Sequence, residues 1–440
     1  MSYKCTSLSV VGLGKLGLPL AAVLASSGFK VIGADANQNL VKSINDSNVP
    51  FWEPGLQDLV QECENLTATY STKEAVSATD ATFVILPTPS TDSGWFSNDY
   101  LIKALKDIGE AIKHKDQYHL VVITSTIMPG SMNGVIREAL VKHSGKNLGD
   151  QLGLCYHPEF IALGNVIQNM LYPDTLLIGE SDTQAGDLLQ SICSEVCQNN
   201  PSIQRMNFVN AELTKIAVNT FVTTKISYAN MLSEICDHLP GADAEVVTEA
   251  VGSDSRIGKK YLKPALGYGG PCFPRDNKAF VALAREHKAS CDLAVATDQL
   301  NDRQVSRLVN FVGKFTPAGD KVAILGMAYK PDTHVCDASQ GVLLANQLAG
   351  LGYKVLCHDV SAAFDDCCEL HDDCVLQTDL SEILKLATTL VVTTPWTEYC
   401  HLASLIPEGH FKPTTLIDPW KIVNTDSLPN TVTLVTPGKG

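Results

Sequence analysis

A strand, a glycine-rich turn and a helix open this chain in an order that leaves few folds available. Leu8-Ser9-Val10-Val11 reads as a buried strand, and Gly12-Leu13-Gly14-Lys15-Leu16-Gly17 follows it directly. Leu18 to Ser27 then has helical spacing, Gly28 ends it, and Phe29 to Ala34 reads as a second strand closing on Asp35. A lone G-x-G-x-x-G says little. With a strand before it, a helix after it and an acid about 20 residues on, it is the full dinucleotide-binding pattern of a doubly wound α/β domain. Gly12, Gly14 and Gly17 allow the tight turn and close backbone approach, Lys15 and Leu16 complete the loop, and the pyrophosphate charge meets the helix N-terminus. Asp35 is expected to accept hydrogen bonds from ribose hydroxyls and to repel a 2′-phosphate, so NAD is the expected cofactor rather than NADP.

At 440 residues the chain is too long for one core and predicts two or three domains. With 45% apolar and 18% charged residues its composition is that of an ordinary globular protein. The net charge of −15 argues against nucleic-acid or anionic-membrane partners, so phosphate groups must be held by local sites. No apolar run approaches the ~18 residues of a membrane span, and the N-terminus leads straight into the first strand. Fourteen cysteines without a secretory signal read as free thiols in a reducing compartment, and a cytoplasmic protein is expected. The cluster Cys367, Cys368, His371 and Cys374 lacks zinc-module spacing and lies in an acidic stretch, so no metal is expected.

Strands and helices alternate to about residue 200. Thr82 to Leu86 and Leu120 to Thr124 are continuous apolar runs of the kind that parallel strands covered on both faces require. Each ends in a loop suited to a cofactor, with Thr88 and Pro89 after the first and Ser125 and Thr126 after the second. From Asn210 to Asp237 the pattern is helical throughout, with an apolar stripe through Leu213, Ile216, Ala217, Thr220, Phe221, Thr224, Tyr228, Met231 and Ile235; Lys215, Asn219 and Thr223 share another face. A second α/β unit starts at Lys321 to Gly326 without the full glycine pattern. The expected architecture is α/β: two doubly wound Rossmann-like domains joined by a long central helix region, spanning residues 1–203, 204–305 and 306–440 in turn.

The run Gly267-Tyr268-Gly269-Gly270-Pro271-Cys272-Phe273-Pro274-Arg275-Asp276 sets one thiol in a turn held by glycines and prolines, with a carboxylate four residues on. A cysteine so placed is a candidate nucleophile. Taken with Gly12 to Gly17 and Asp35, Glu53-Pro54-Gly55-Leu56, Ser125-Thr126, His157-Pro158-Glu159-Phe160, Lys215 with Asn219, Ser255-Arg256-Ile257-Gly258 and Tyr329-Lys330-Pro331-Asp332, it makes the chain resemble the UDP-glucose/GDP-mannose dehydrogenase family over essentially its whole length.

The resemblance implies a four-electron oxidation of a nucleotide-sugar C6 alcohol to the uronate, with NAD as acceptor. In it Cys272 matches the nucleophile that captures the aldehyde, Lys215 an oxyanion-stabilising ammonium, and Asp276 the acid that works with that lysine and a water. Glu159 matches a carboxylate assisting thioester hydrolysis, and Thr126 and Asn219 the polar groups holding water and sugar. Cys272 and Arg275 also match positions beside the cofactor. The sugar nucleotide maps to Glu159, Phe160, Ile161, Leu163, Lys215, Asn219, Lys263, Leu266, Gly267, Tyr268 and Gly269, with Tyr329 and Lys330. Arg256 matches an arginine that reaches the neighbouring subunit's site, so a homodimer or larger homo-oligomer is implied. Leu163, Asp337 and Trp420 depart from the common pattern near the recognition loops. UDP-glucose is the expected substrate, with a UDP-N-acetylhexosamine or GDP-mannose as alternatives. A binding protein on a degenerate scaffold would be expected to lack Cys272 or Lys215, and both are present.

Overall fold

The computed structural model describes residues 5–317, 319–363, 366–367, 370–406 and 413–440, so Cys368 lies outside the described residues. The chain divides into two compact units, Met1–Ala217 and Val218–Gly440. The first holds an eight-stranded sheet of β1 (Ser7–Val11), β2 (Lys30–Ala34), β3 (Leu66–Thr69), β4 (Ala81–Val84), β5 (His119–Ile123), β6 (Leu152–Tyr156), β7 (Thr175–Glu180) and β8 (Ser202–Met206), in the spatial order β3-β2-β1-β4-β5-β6-β7-β8. Side chains alternate between two cores. Leu8, Val10, Phe83, Leu120 and Val122 enter one, and Val11, Val84, Val121 and Ile123 the other. A strand buried on both faces needs the unbroken apolar run the sequence shows. One pairing departs from the parallel pattern: β6 and β7 are antiparallel, with Tyr156 opposite Gly179. The connection from His157 onward returns the chain along the same end of the sheet, which reverses the next strand.

The second unit holds β9 (Lys321–Leu325), β10 (Lys354–His358), β11 (Cys374–Leu376), β12 (Thr389–Val392), β13 (Thr415–Ile417) and β14 (Thr433–Val435) in the parallel order β11-β10-β9-β12-β13-β14. Val322, Ile324 and Val391 face one core, and Ala323, Leu325 and Val392 the other. Cys374 therefore belongs to a strand edge rather than to a loop.

The two sheets share a device. A Cβ on Gly17 would lie 1.8 Å from the Gly12 carbonyl oxygen, and one on Gly341 would lie 2.0 Å from that of Gly326. In each sheet the helix after the first strand can pack this close only because both contact residues are glycine. The second unit thus keeps the outer glycines of the pattern and replaces its short loop by the longer segment Met327 to Ser339.

The helix Phe208–Asp237 spans the boundary between the units. The expected apolar stripe is only partly buried: Ile216 and Thr220 are buried, whereas Leu213, Phe221, Tyr228 and Ile235 are exposed, and Glu212, Lys215, Thr223, Ser227, Asn230 and Ser233 are buried beside it. Polar contacts described below occupy the inner face. Among the described residues no helix is long and apolar enough to cross a membrane.

Replacing Gly341 by Ala should force its helix off β9 and destabilise the second unit by about 1–3 kcal/mol. Chemical denaturation checks this, and a variant as stable as the parent would show that the contact is not close-packed in solution.

Candidate active site

In the first unit the dinucleotide loop has the conformation its sequence predicts. Gly12 has φ +93° and a Cβ there would meet the Ile85 carbonyl at 2.3 Å. Gly14 instead faces open space, where a Cβ would touch nothing within 4 Å, which suits close approach of a pyrophosphate. Lys15 is exposed and Leu16 half-buried at the start of the helix Gly17–Ser26. Asp35 accepts hydrogen bonds from the Leu13 and Asn37 amides, both at 2.8 Å, which holds the acid beside the loop. The residues present therefore fit NAD.

Two loops at the carboxyl ends of β4 and β5 are clipped together. The Leu86 amide donates to Ser125 Oγ at 2.8 Å, that hydroxyl donates to the Leu86 carbonyl at 2.7 Å, and Thr88 Oγ1 donates to the Thr126 carbonyl at 2.7 Å. Pro89 is exposed next to Thr88 and Thr126 is partly exposed. Lys215 is buried, donating from Nζ to the Glu159 carbonyl at 2.7 Å and lying 4.6 Å from the Phe160 ring centre. Its ammonium is thus aimed at the backbone of the His157–Phe160 segment. Ile161 and Leu163 pack on the first core.

Sequence reasoning missed three supports of this half. Glu212, fully buried, accepts the Gly130 and Met132 amides at 2.7 Å each, fixing the far end of the Ser125–Gly130 loop. Burial raises its pKa to about 7, against the pull of those amides. The signal was available: Glu212 lies three residues before Lys215, on the same helical side. Glu53, quoted only as part of a motif, accepts the Gly164 and Val166 amides at 2.9 and 2.7 Å and so closes the loop after Glu159. His157 Nδ1 meets the Leu177 carbonyl at 2.8 Å and Nε2 stands 3.6 Å from Glu159 Oε1. Burial alone would lower its pKa; Cys193 and Glu159 beside it raise it to about 10.

In the second unit Cys272 is exposed at the N-cap of the helix Phe273–Glu286. The helix begins at Phe273, directly after the thiol, because Pro274 is tolerated in a first turn. Asp276 is consequently a first-turn residue, and the helix N-terminus faces the thiol, where its dipole favours negative charge. Asn219 Nδ2 donates to Asp276 Oδ2 at 2.6 Å, while Oδ1 stands 3.5 Å from Arg275 Nε and accepts no hydrogen bond among the described residues.

The turn before Cys272 is shaped by absent side chains. A Cβ on Gly267 would meet Asn301 Oδ1 at 2.6 Å, one on Gly269 the Ala338 carbonyl at 2.4 Å, and one on Gly270 the Tyr329 ring at 2.6 Å. Gly270 has φ +83° and donates its amide to the Asp337 carbonyl at 2.8 Å. Asn301 accepts the Tyr268 amide at 2.7 Å and donates to its carbonyl at 3.0 Å; Asn230 does the same for Ala265 and Leu266. Both asparagines were missed, since a polar residue on a helix carries no mark of which turn it holds. Burial, with Cys272 and Asp337 nearby, raises the Tyr329 phenol and keeps it protonated. Lys330 follows it, partly exposed. Arg256 and Lys263 are not gathered with these groups: Arg256 is exposed and paired with Asp254 at 2.6 Å, and Lys263 stands 3.7 Å from Glu245. Among the described residues no group of three or more His, Cys, Asp or Glu is arranged to hold a metal.

Three family models match along the chain, described as the NAD binding, central and UDP binding domains of the UDP-glucose/GDP-mannose dehydrogenase family, over residues 6–197, 209–303 and 323–425. A UDP-glucose 6-dehydrogenase of Haloferax volcanii is 36% identical over 90% of this chain and 92% of its own. A GDP-mannose 6-dehydrogenase of Azotobacter vinelandii is 30% identical over 91% and 94%. The structure of a UDP-glucose dehydrogenase from Pyrobaculum islandicum superposes with a TM-score of 0.84 at 32% identity, covering 91% of this chain and 92% of that one.

Glu212→Gln should loosen the Ser125–Gly130 loop, because an amide offers an acceptor to only one of the two N–H groups, at a cost of about 1–3 kcal/mol. The parent should lose stability as pH rises from 4.5 to about 7, where the native carboxyl keeps a proton that the unfolded chain has released. Denaturation midpoints of both proteins across that range check this; the same pH slope in the variant would remove Glu212 as its source.

Proposed function

The chain belongs to the UDP-glucose/GDP-mannose dehydrogenase family, and we propose that this NAD-dependent nucleotide-sugar dehydrogenase oxidises UDP-glucose to UDP-glucuronate through a thioester on Cys272. The observation that carries the reading is the exposed Cys272 at a helix N-terminus with buried Asp276 one turn on, held by Asn219. A two-electron alcohol dehydrogenase needs no such nucleophile. NAD, bound along Gly12 to Gly17, supplies the hydride acceptor for both oxidations.

The chain's own groups account for the remaining steps. Lys215 stabilises the alkoxide formed as the C6 hydroxyl loses its proton. Cys272 Sγ adds to the aldehyde carbon, so the intermediate stays bound and its carbon carries the second hydride to be lost. Asp276, with one oxygen committed to Asn219, keeps the other for a water or hydroxyl proton. Glu159 assists the water that hydrolyses the thioester and releases the thiol. Thr126 and Asn219 match the groups that orient that water and the sugar, and Arg275 matches a cofactor contact of the family. Residues 1–203 serve the dinucleotide, 204–305 the chemistry and subunit pairing, and 306–440, through Tyr329 and Lys330, the sugar nucleotide. Gly267 to Gly269 with Leu266 present backbone to the sugar.

UDP-glucose is favoured because a relative named for it shares more of this chain than one named for GDP-mannose, at similar coverage. Leu163, Asp337 and Trp420 lie in recognition loops and keep a UDP-N-acetylhexosamine or GDP-mannose as the competing substrates. The exposed Leu213, Phe221, Tyr228 and Ile235 on the long helix, with Arg256 projecting from an exposed turn, support a homodimer or larger assembly. Sedimentation showing a fully active monomer at assay concentration would exclude it. The cysteine-rich composition, with the described cysteines not joined in disulfides, supports a cytoplasmic setting.

With limiting UDP-glucose and excess NAD, two NADH and one UDP-glucuronate per sugar are expected. Cys272→Ala should lower uronate formation on the order of 10³-fold or more while nucleotide-sugar binding survives. A ratio of one with free aldehyde would sink the thioester, and turnover of only another nucleotide sugar would sink the substrate assignment alone.

A further inference from the structure

Four cysteines of the second unit share one core: Cys336, Cys357, Cys367 and Cys374. The reaction uses none of them. Cys336 and Cys367 have their sulfur atoms 2.7 Å apart, although 31 residues separate them in sequence. That distance is far inside an ordinary sulfur contact and close to the ~2.05 Å of a covalent bond. We propose that Cys336 and Cys367 form a reversible disulfide that acts on the turn carrying Cys272.

The route from the pair to Cys272 is short. Cys336 lies in the long segment that replaces the glycine loop of the second sheet. The Tyr329 amide donates to the Val335 carbonyl at 2.9 Å and the Ser339 amide to the Cys336 carbonyl at 3.0 Å, so the segment is bound at both ends. Next to Cys336, the Asp337 carbonyl accepts the Gly270 amide, and Ala338, at φ +48°, presses its carbonyl on Gly269. No side chain cushions that contact. A shift of Cys336 toward Cys367 therefore moves the backbone on which Gly269 and Gly270 rest, three and two residues before Cys272. Cys367, in contrast, belongs to a connection after β10 that contributes no proposed catalytic group. Formation of the bond should pull the segment from the catalytic turn and slow the thiol's reactions.

The chemistry balances with a peroxide as oxidant. The hydrogen bond to Cys367, and then burial, raise the Cys336 pKa, and in the proposed sequence Cys367 is the sulfur that attacks. Cys367 takes one peroxide oxygen to give a sulfenic acid and releases water. Cys336 Sγ then attacks that sulfur, and its proton leaves with the hydroxyl as a second water. Two thiols lose two electrons and two protons, and an external dithiol reverses the step.

The test uses the full chain exposed to hydrogen peroxide, blocked with N-ethylmaleimide and mapped without reduction. A linked peptide pair through Cys336 and Cys367, two hydrogens lighter than the free peptides and split by dithiothreitol, is expected. It should also form in Cys272→Ala, so this arm does not depend on the proposed reaction. The second arm measures the rate at which iodoacetamide alkylates Cys272, again without any sugar substrate. The peroxide-treated parent should react several-fold more slowly and recover with dithiothreitol. Cys367→Ser, given the same dose, keeps the exposed Cys272 and so separates oxidation of that thiol itself. Recovery of Cys336 and Cys367 as separate maleimide adducts would overturn the disulfide. A linked protein whose Cys272 reacts at the unlinked rate, or an equal dithiothreitol-reversible slowing in Cys367→Ser, would overturn the coupling.

Discussion

Each sheet of this protein is organised around a contact that a single methyl group would forbid. The carbonyl of Gly12 lies where a Cβ of Gly17 would be, and the carbonyl of Gly326 where one of Gly341 would be. These contacts set the distance between the first strand of each sheet and its following helix. In the first unit that closeness leaves the helix N-terminus bare beside Gly14, so an anion can reach it. In the second unit the same closeness leaves room for a fourteen-residue excursion between the glycines, and that excursion carries Tyr329, Lys330 and the segment under Gly269 and Gly270. One packing constraint, used twice, yields a dinucleotide loop in one place and a support for the Cys272 turn in the other.

Carboxylates hold the loops that this packing leaves open. Asp35 takes the Leu13 amide in the first unit, and Asp359, at the matching end of β10, takes the Met327 and Ala328 amides in the second. Glu53 and Glu212 do the same for the loops after Glu159 and Ser125. Backbone N–H groups buried without partners would each cost on the order of 1–3 kcal/mol, and a carboxylate serves two at once. The expense falls on the acid, and the raised pKa of Glu212 shows it.

The long helix illustrates where pattern reading stops. Its length and the shared face of Lys215, Asn219 and Thr223 were legible, because 3.6-residue spacing is a local property. Its inner face was not. Leu213, Phe221 and Tyr228 of the apolar stripe are exposed, while Glu212, Lys215, Asn230 and Ser233 are buried. Periodicity assigns the apolar side to a core; here those four polar groups each have a partner from another segment, 36 to 82 residues away in sequence. The helix start beside Cys272 was not legible for a related reason. Prolines at Pro271 and Pro274 argued for loop, and only the folded turn shows that Pro274 occupies a position where no amide is needed.

The sequence alone determined the two α/β units, the dinucleotide loop, the acid at Asp35, the cysteine turn and its family, since each depends on residue types at fixed short spacing. Tertiary structure decided which carboxylates clamp which loops, that Arg256 and Lys263 stand apart on the surface, that β7 runs backward, and that Cys336 meets Cys367. Those facts depend on distances between residues remote in the chain, and a lone cysteine, glutamate or asparagine has no local feature from which its partner follows. The physical reason is that hydrogen bonds and thiol contacts act over about 3–4 Å, a range the fold sets and the chain order does not.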